Sequence, residues 1–286
     1  MAIIVKYTVM TSVILLMLAV GLRTPFSQVR QVVQNRSLLM RGLAANFVVA
    51  PLLIYVSMYW LPVAAEVKMG IMLMAAAPIA PMAPLPFVGI AKGDLAYSAG
   101  LMVVAAVLSV ALTPLIIALS FPSSAEGGVA VNPMQIVQTL FTVQLLPMGV
   151  GMMLQHYSPT WNKRLLSFVP MLGQVGLLVG IVLLLASQAR EIMAIGTLGF
   201  LINIALVILC LAIGDLALTN ESGERRRALA VSTAVRNVPL AFVIANASFP
   251  GTLVAPVTLV FATFSMLLSV VYAKIMLWNA PARSPA

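Results

Sequence analysis

Nine runs of apolar residues, separated by short polar stretches, dominate this chain and leave it few ways to fold. They fall near residues 7–22, 38–61, 67–91, 95–120, 134–155, 165–188, 192–216, 227–248 and 252–278. A helix crosses a bilayer in about 20 residues, so each run is a span, the first being short. Only 8% of residues are charged and mean hydropathy is +1.09, against about 25% charged in a soluble domain. The reading is an all-α polytopic membrane protein with nine transmembrane helices, and residues 1–286 form one transmembrane unit. The segments between spans, the longest being 23–37 and 121–133, are too short to fold alone. The apolar start resembles a secretory leader, but no small-residue cleavage pattern precedes Arg23, so a first span is expected.

The net charge of +9 does not point to nucleic acid, because the cations are scattered through interhelical segments without a basic face or aromatic platform. They are sided instead. Arg23, Arg30, Arg36, Arg41, Lys92, Lys163, Arg164, Arg225, Arg226, Arg227, Lys274 and Arg283 fall on one side, and Lys6, Lys68 and Arg190 on the other. The positive-inside rule then puts the amino terminus outside and the carboxyl terminus in the cytoplasm of a plasma (inner) membrane. Cys210 stands alone, which excludes an intrachain disulfide. Phosphate-binding glycine loops, paired in-membrane carboxylates and nucleophile–base pairs are missing from the pattern, so an enzyme or primary pump is disfavoured.

Two spans carry interruptions. The third contains "AAAPIAPMAPLPF" (75–87), with Pro78, Pro81, Pro84 and Pro86. The eighth contains Arg236, Asn237 and Pro239, about 13 Å from its cytoplasmic end at about 1.5 Å per residue. Broken backbone at membrane depth is tolerated where it is buried in protein or lines a watery cavity. The breaks lie five spans apart, an odd number. Two units, about 7–120 and 134–278, would therefore be inverted repeats, the first lacking one helix, with 67–91 and 227–248 as discontinuous crossing helices. Such paired breaks point to the binding site of a secondary transporter.

Short motifs then carry a resemblance: "MLAVGL" (17–22), "ANFVVAP" (45–51), "IAKGD" (90–94), "LSVALTP" (108–114), "LLPMGVG" (145–151) and "VRNVPLA" (235–241) followed by "ASF". Their order is similar to that of the bile acid:sodium symporter family. The resemblance implies a core with two crossing discontinuous helices, a smaller panel, alternating access, and cargo that is an organic anion, often with sodium. Sodium-coupled members carry a Cys-Pro-Gly-Gly motif followed by small polar residues and an asparagine in the third span. Here Met82, Ala83, Pro84 and Leu85 stand there. The family's glutamate, glutamine and asparagine of the eighth span correspond to Ser232, Arg236 and Asn237, hydroxyl positions of the fourth to Ala105 and Ala106, and a glutamine of the second to Asn46. Sodium is implied by resemblance, but its ligands are not evident, and no other cofactor is expected.

The expected substrate- or ion-binding residues are Arg236, Asn237, Ser232, Thr233, Asn46, Pro81, Pro84 and Pro239. Two readings of Arg236 stay open. Either it supplies in place the charge that sodium supplies in relatives, or it is a structural plug that snorkels or bonds only to broken-helix carbonyls. Gln138, Gln144, Gln174 and Asn203 are candidates for inward-facing interhelical bonding, Asn246 is not a site residue, Asp215 is a solvated capping carboxylate, and Glu66 pairs with Lys68. Gly176 and Gly180 mark a close helix contact, the methionines fill gaps, and His156 is solvated. The expected function is secondary transport of a small organic anion within the lipid bilayer. Alternatives are an arsenite-type efflux carrier of the same superfold and a degenerate carrier acting as a membrane sensor.

Overall fold

The computed structural model describes residues 2–77, 79–80, 83–120 and 133–278, with side chains from residue 7 onward. The described residues are helical throughout, apart from turns and the breaks treated below. Helices α1 (Ala2–Arg23) and α2 (Phe26–Gln34) are bent by 79°. The bend falls at Thr24–Pro25, because proline lacks an amide donor and pushes its predecessor out of helical geometry. The segment expected as a loop after Arg23 is thus largely helix α2, a correction. "FSQVRQVVQ" has no internal breaker, and its Val32 is buried over Gly100, where an added Cβ would lie 2.5 Å from the valine.

Next come α3 (Arg36–Trp60), α4 (Ala65–Ala76), α5 (Pro84–Ile90), α6 (Leu95–Ser120), α7 (Pro133–Tyr157) and α8 (Pro159–Ser187). The short α9 (Ala189–Ala194), then α10 (Gly196–Leu216), α11 (Gly223–Ala234), α12 (Val238–Ser248) and α13 (Val254–Trp278) complete the order. Six of these, α3, α6, α7, α8, α10 and α13, are each long and apolar enough to cross a membrane, and the bent α1–α2 pair raises the number to seven. Segments 67–91 and 227–248 are the ones delivered in pieces. The chain is a helical multi-pass membrane protein.

Two of the long helices contain a single π turn, at Ala45–Val49 in α3 and Phe141–Leu145 in α7. Each lies just ahead of a proline, Pro51 or Pro147. A proline cannot donate to the carbonyl four residues back, here Phe47 or Val143, and its ring crowds that carbonyl. Widening the turn relieves the crowding. Asn46 and Gln144 sit within these turns, and both are buried.

Packing sorts the helices into two groups. Helix α1 lies chiefly against α7 and α8, whereas α10, α11, α13, α4 and α3 pack on one another around the breaks. The α1–α7 contact is backbone against backbone: a Cβ on Gly21 would stand 2.1 Å from the Met148 carbonyl oxygen, and one on Gly151 would stand 2.4 Å from that of Leu18. Small residues permit such approach where lipid offers no hydrophobic drive. Gly176 and Gly180 serve α8 in the same way, facing Ser12 and Val9 of α1.

Charged residues knit one end of the broken spans. Arg225 pairs with Glu221 at 2.8 Å and Asp94 at 3.8 Å, and Arg227 donates to the Lys92 carbonyl at 2.9 Å. Asp215, expected to be merely solvated, pairs with Arg226 and accepts from the Tyr272 hydroxyl at 2.9 Å. Tyr272 lies 57 residues from Asp215 in the sequence, and Arg226, though 11 residues away, sits on the next helix, so no local pattern marks the group. Glu66 likewise departs from expectation: its carboxylate accepts from the Leu253 amide at 2.8 Å ahead of α13, rather than serving Lys68. An acidic side chain suits free amides at a helix start.

Candidate functional site

The two interruptions meet. Helix α4 stops at Ala76 because Ala77 is extended (φ −67°, ψ 140°) ahead of Pro78. Helix α5 restarts with Pro84 at its first turn, where a missing donor costs nothing. Residue Pro81 lies outside the described residues. In the other break, Val235 (φ −90°, ψ 92°) ends α11, and α12 begins after Asn237 with Pro239 in its first turn. Ile79 and Arg236 form an antiparallel bridge, and the Ala80 amide donates to the Val235 carbonyl at 3.1 Å. Each unwound strand thus satisfies part of the other, as a low-dielectric setting demands.

Arg236 fills the junction. It is 1% exposed and heads the largest fully buried side chains. One terminal nitrogen donates to the Ala75 carbonyl at 2.8 Å and the Ala77 carbonyl at 3.0 Å, and both terminal nitrogens reach the Asn46 carbonyl at 3.5 Å. The last turn of α4 is otherwise closed by the Ala77 amide, which donates to Leu73 and Met74. The guanidinium therefore caps the negative end of a half-helix. A cation at this depth costs several kcal/mol unless it is well paired, and charge-assisted bonds are about twice as strong as neutral ones. Snorkelling is excluded, because the guanidinium ends among carbonyls rather than at an interface. The fully buried Cys210 thiol neighbours it.

Around this cation the expected polar residues are mostly turned towards each other. The Asn237 side chain accepts from the Leu240 amide at 3.2 Å, capping α12, and donates to Gln144 Oε1 at 3.1 Å. The Gln144 amide nitrogen reaches the Ala106 carbonyl at 3.0 Å and Ser109 Oγ at 2.9 Å. Ser232 and Ser98 share a hydrogen bond of 2.8 Å. Asn46 donates to Gly42 O at 2.9 Å and to Thr233 Oγ1 at 3.3 Å, leaving its Oδ1 buried without a partner. Pro84 and Pro239 are buried at the two restarts.

Sequence reasoning placed Gln144 among several amides and missed Ser98 and Ser109. The available signal was a polar residue close before Pro147, matching Asn46 before Pro51. Gln138, a candidate for facing inward, is exposed, Gln174 is exposed on the wall of the cavity described below, and Asn203 and Asn246 bond back to their own helices at Gly199 and Phe242.

These residues fit a sodium ion poorly. A hard cation wants several oxygen ligands with an anionic one when buried. Ala105 and Ala106 offer none from their side chains, and among the described residues no cluster of three or more His, Cys, Asp or Glu could hold a metal. The carbonyls at the end of α4 already serve Arg236.

Space beside the junction is uneven. A cavity of about 490 Å³ opens on the cation-rich end, lined by Arg23, Gln28, Leu85, Pro86, Ala96 and Gln174 among others. Away from that opening, between α1, α7 and α12, a pocket of about 20 Å³ is lined by Val9, Val13, Val143, Gln144, Asn237 and Val243 among others. Beside the crossing itself the molecule is open on the cation-rich side and shut between α1, α7 and α12; a groove of about 580 Å³ lined by Tyr7, Ser12, Leu172 and Gly176 among others lies apart, between α1 and α8.

Two comparisons bear on this arrangement. The profile of the Sodium Bile acid symporter family matches residues 10–195, well over half of the chain. A rice (Oryza sativa subsp. japonica) protein described as "Probable sodium/metabolite cotransporter BASS2, chloroplastic" is 26% identical over 246 residues, which is 84% of this chain. The chain spans 57% of that relative's length.

Proposed function

This chain belongs to the sodium bile acid symporter family, a family of transporters rather than enzymes, and from that premise we propose that it carries a small organic anion by alternating access around the crossing. In this reading the nine apolar runs are nine spans in two inverted repeats, about 7–120 and 134–278, and Arg236, Asn237, Ser232, Thr233, Asn46, Pro81, Pro84 and Pro239 surround the site. The cation-rich end faces the cytoplasm of a plasma membrane. The single observation that carries the reading is a fully buried guanidinium with no carboxylate partner among the described residues, at the meeting of two broken helices. Arg236 takes the place of the coupling cation: it holds α4 against α11 and α12 permanently and leaves a positive field for an anion entering the cavity beside Leu85 and Pro86. The relative's printed name includes sodium; the departures at Ala105, Ala106, Ser232 and Arg236 support a sodium-independent cycle here.

The test is thermal stability and liposome flux against a panel of organic anions in matched sodium and potassium buffers. Arsenite belongs in the panel, since Cys210 lies beside the crossing. A ligand at about 100 times its Kd raises stability by about 2.7 kcal/mol. The expected result is such a shift from an organic anion, equal within error in both buffers, with matching flux. A shift that needs sodium sinks the fixed-charge part, and absence of flux for every anion sinks the carrier reading.

A further inference from the structure

We propose that Gln144 is the latch that holds the α1–α7–α8 group against the crossing and that must let go when the shut side opens, an inference that deepens the carrier reading and rests on it. Gln144 is 2% exposed. It sits in the π turn of α7, a helix that packs along α1, yet its side chain bonds to α6, which lies between α7 and the broken helices α4, α5 and α11, and to the second break itself. Its nitrogen donates to Ala106 O and Ser109 Oγ of α6, and its oxygen accepts from Asn237 at the junction. One amide therefore ties the fourth span, the fifth span and the second break together. Asn237 in turn caps α12 through the Leu240 amide, so the state of the latch reaches the half-helix at the site.

Position gives the tie its role. Gln144 and Asn237 both line the pocket of about 20 Å³, whose remaining walls include Val9 and Val13 of α1 and Val243 of α12. The roomy cavity of about 490 Å³ opens on the other side of the crossing. Sliding the two groups to open the shut side separates α1 and α7 from α12, and it cannot do so while Gln144 spans the gap. An amide suits a switch better than an ion pair: its bonds in a membrane interior are each worth only a few-fold in an equilibrium, enough to bias two states without freezing them. The π turn contributes by rotating Gln144 off the lipid-facing surface of α7, where its neighbours Phe141 and Leu146 are exposed.

The experiment uses the full chain with Val13→Cys as a reporter on the shut side, labelled by a water-soluble maleimide in the absence of substrate. Without the reporter cysteine, the same backgrounds control for Cys210, which is fully buried. Replacing Gln144 with methionine keeps the length and removes the hydrogen bonds. Three lost bonds correspond to labelling faster by about twentyfold. In flux assays from the shut side, the half-saturating anion concentration should fall while the maximal rate changes less, because more carriers are already open to that side. Ser109→Ala, a milder change that removes one acceptor, should accelerate labelling by a smaller factor and covers the case in which the methionine variant does not fold. Unchanged labelling in a folded variant, with wild-type transport intact, overturns the latch. Failure of the carrier reading shows separately, as wild-type protein that moves no anion.

Discussion

Replacing Arg236 with methionine is expected to lower the unfolding temperature by about 10 °C and to abolish transport. The variant leaves the Ala75 and Ala77 carbonyls buried without their donor. Each buried carbonyl left without its donor costs about 1–3 kcal/mol, and each kcal/mol moves the melting point of a chain this size by about 2–4 °C. Lysine keeps the charge as a point but lacks the planar fork that serves several carbonyls at once, so Arg236→Lys should fall between. Glutamine keeps a donor and loses the charge. If Arg236→Gln transports as well as the parent, a fixed cation is not what drives the anion to the crossing. Fluorescence-detected unfolding in detergent and flux in liposomes read the two effects separately. A methionine variant as stable as the parent would show that the carbonyls find other partners, and the bracing role would fall.

A second large effect is expected at Gly21. Valine there should yield little folded protein, with a destabilisation above about 4 kcal/mol, in the range reserved for severe core disruption. Its Cβ would meet the Met148 carbonyl at 2.1 Å, the Met152 amide at 2.8 Å and the Gly151 Cα at 2.9 Å. All three are backbone atoms, so no rotamer change relieves the clash and α1 must move off α7. That movement also strips packing at Val13 and Leu16, both buried. Gly149, on the facing helix α7 and with open space around its missing side chain, is the control: Gly149→Ala should cost nothing, and alanine's higher helix propensity gives back about 0.8–1.0 kcal/mol. Size-exclusion recovery and melting temperature of the two variants check the contrast. Equal recovery would mean that the close approach is not a requirement of the fold.

Much of the architecture was legible because membranes make sequence speak plainly. Apolar length fixes where helices can cross, and proline fixes where they cannot continue. Thus the segment from Ala75 to Phe87 and the group Arg236, Asn237 and Pro239 were visible as breaks before any coordinates. Family resemblance rested on the order of short motifs from "MLAVGL" (17–22) to "VRNVPLA" (235–241), of which only the last falls in a break, and the match over residues 10–195 agrees with it. Other features were illegible for an equally physical reason. A π turn leaves no composition signal beyond a nearby proline. The pairing of Asp215 with Arg226 and Tyr272 joins the consecutive helices α10 and α11 to α13, and nothing in the sequence marks that third contact. Helix α2 carries Gln28, Arg30 and Gln31 among its apolar residues, which hydropathy reads as a loop.

The sequence by itself determined that this chain lives in a bilayer, that two of its apolar segments cannot be whole helices, and that one of those carries a cation where cations are costly. Those facts follow from local chemistry: hydrogen-bonding capacity, hydropathy and the proline ring. Only the tertiary structure decided what the cation does, because its partners Asn46, Ala75 and Ala77 lie about 160 to 190 residues away along the chain. They accept through backbone oxygens that every residue possesses, so no sequence pattern marks them. The same holds for Gln144, whose amide reads as one of several until packing brings Ser109 and Asn237 to its two ends. Side-chain identity sets which groups need partners, and helix packing alone sets which partners they find.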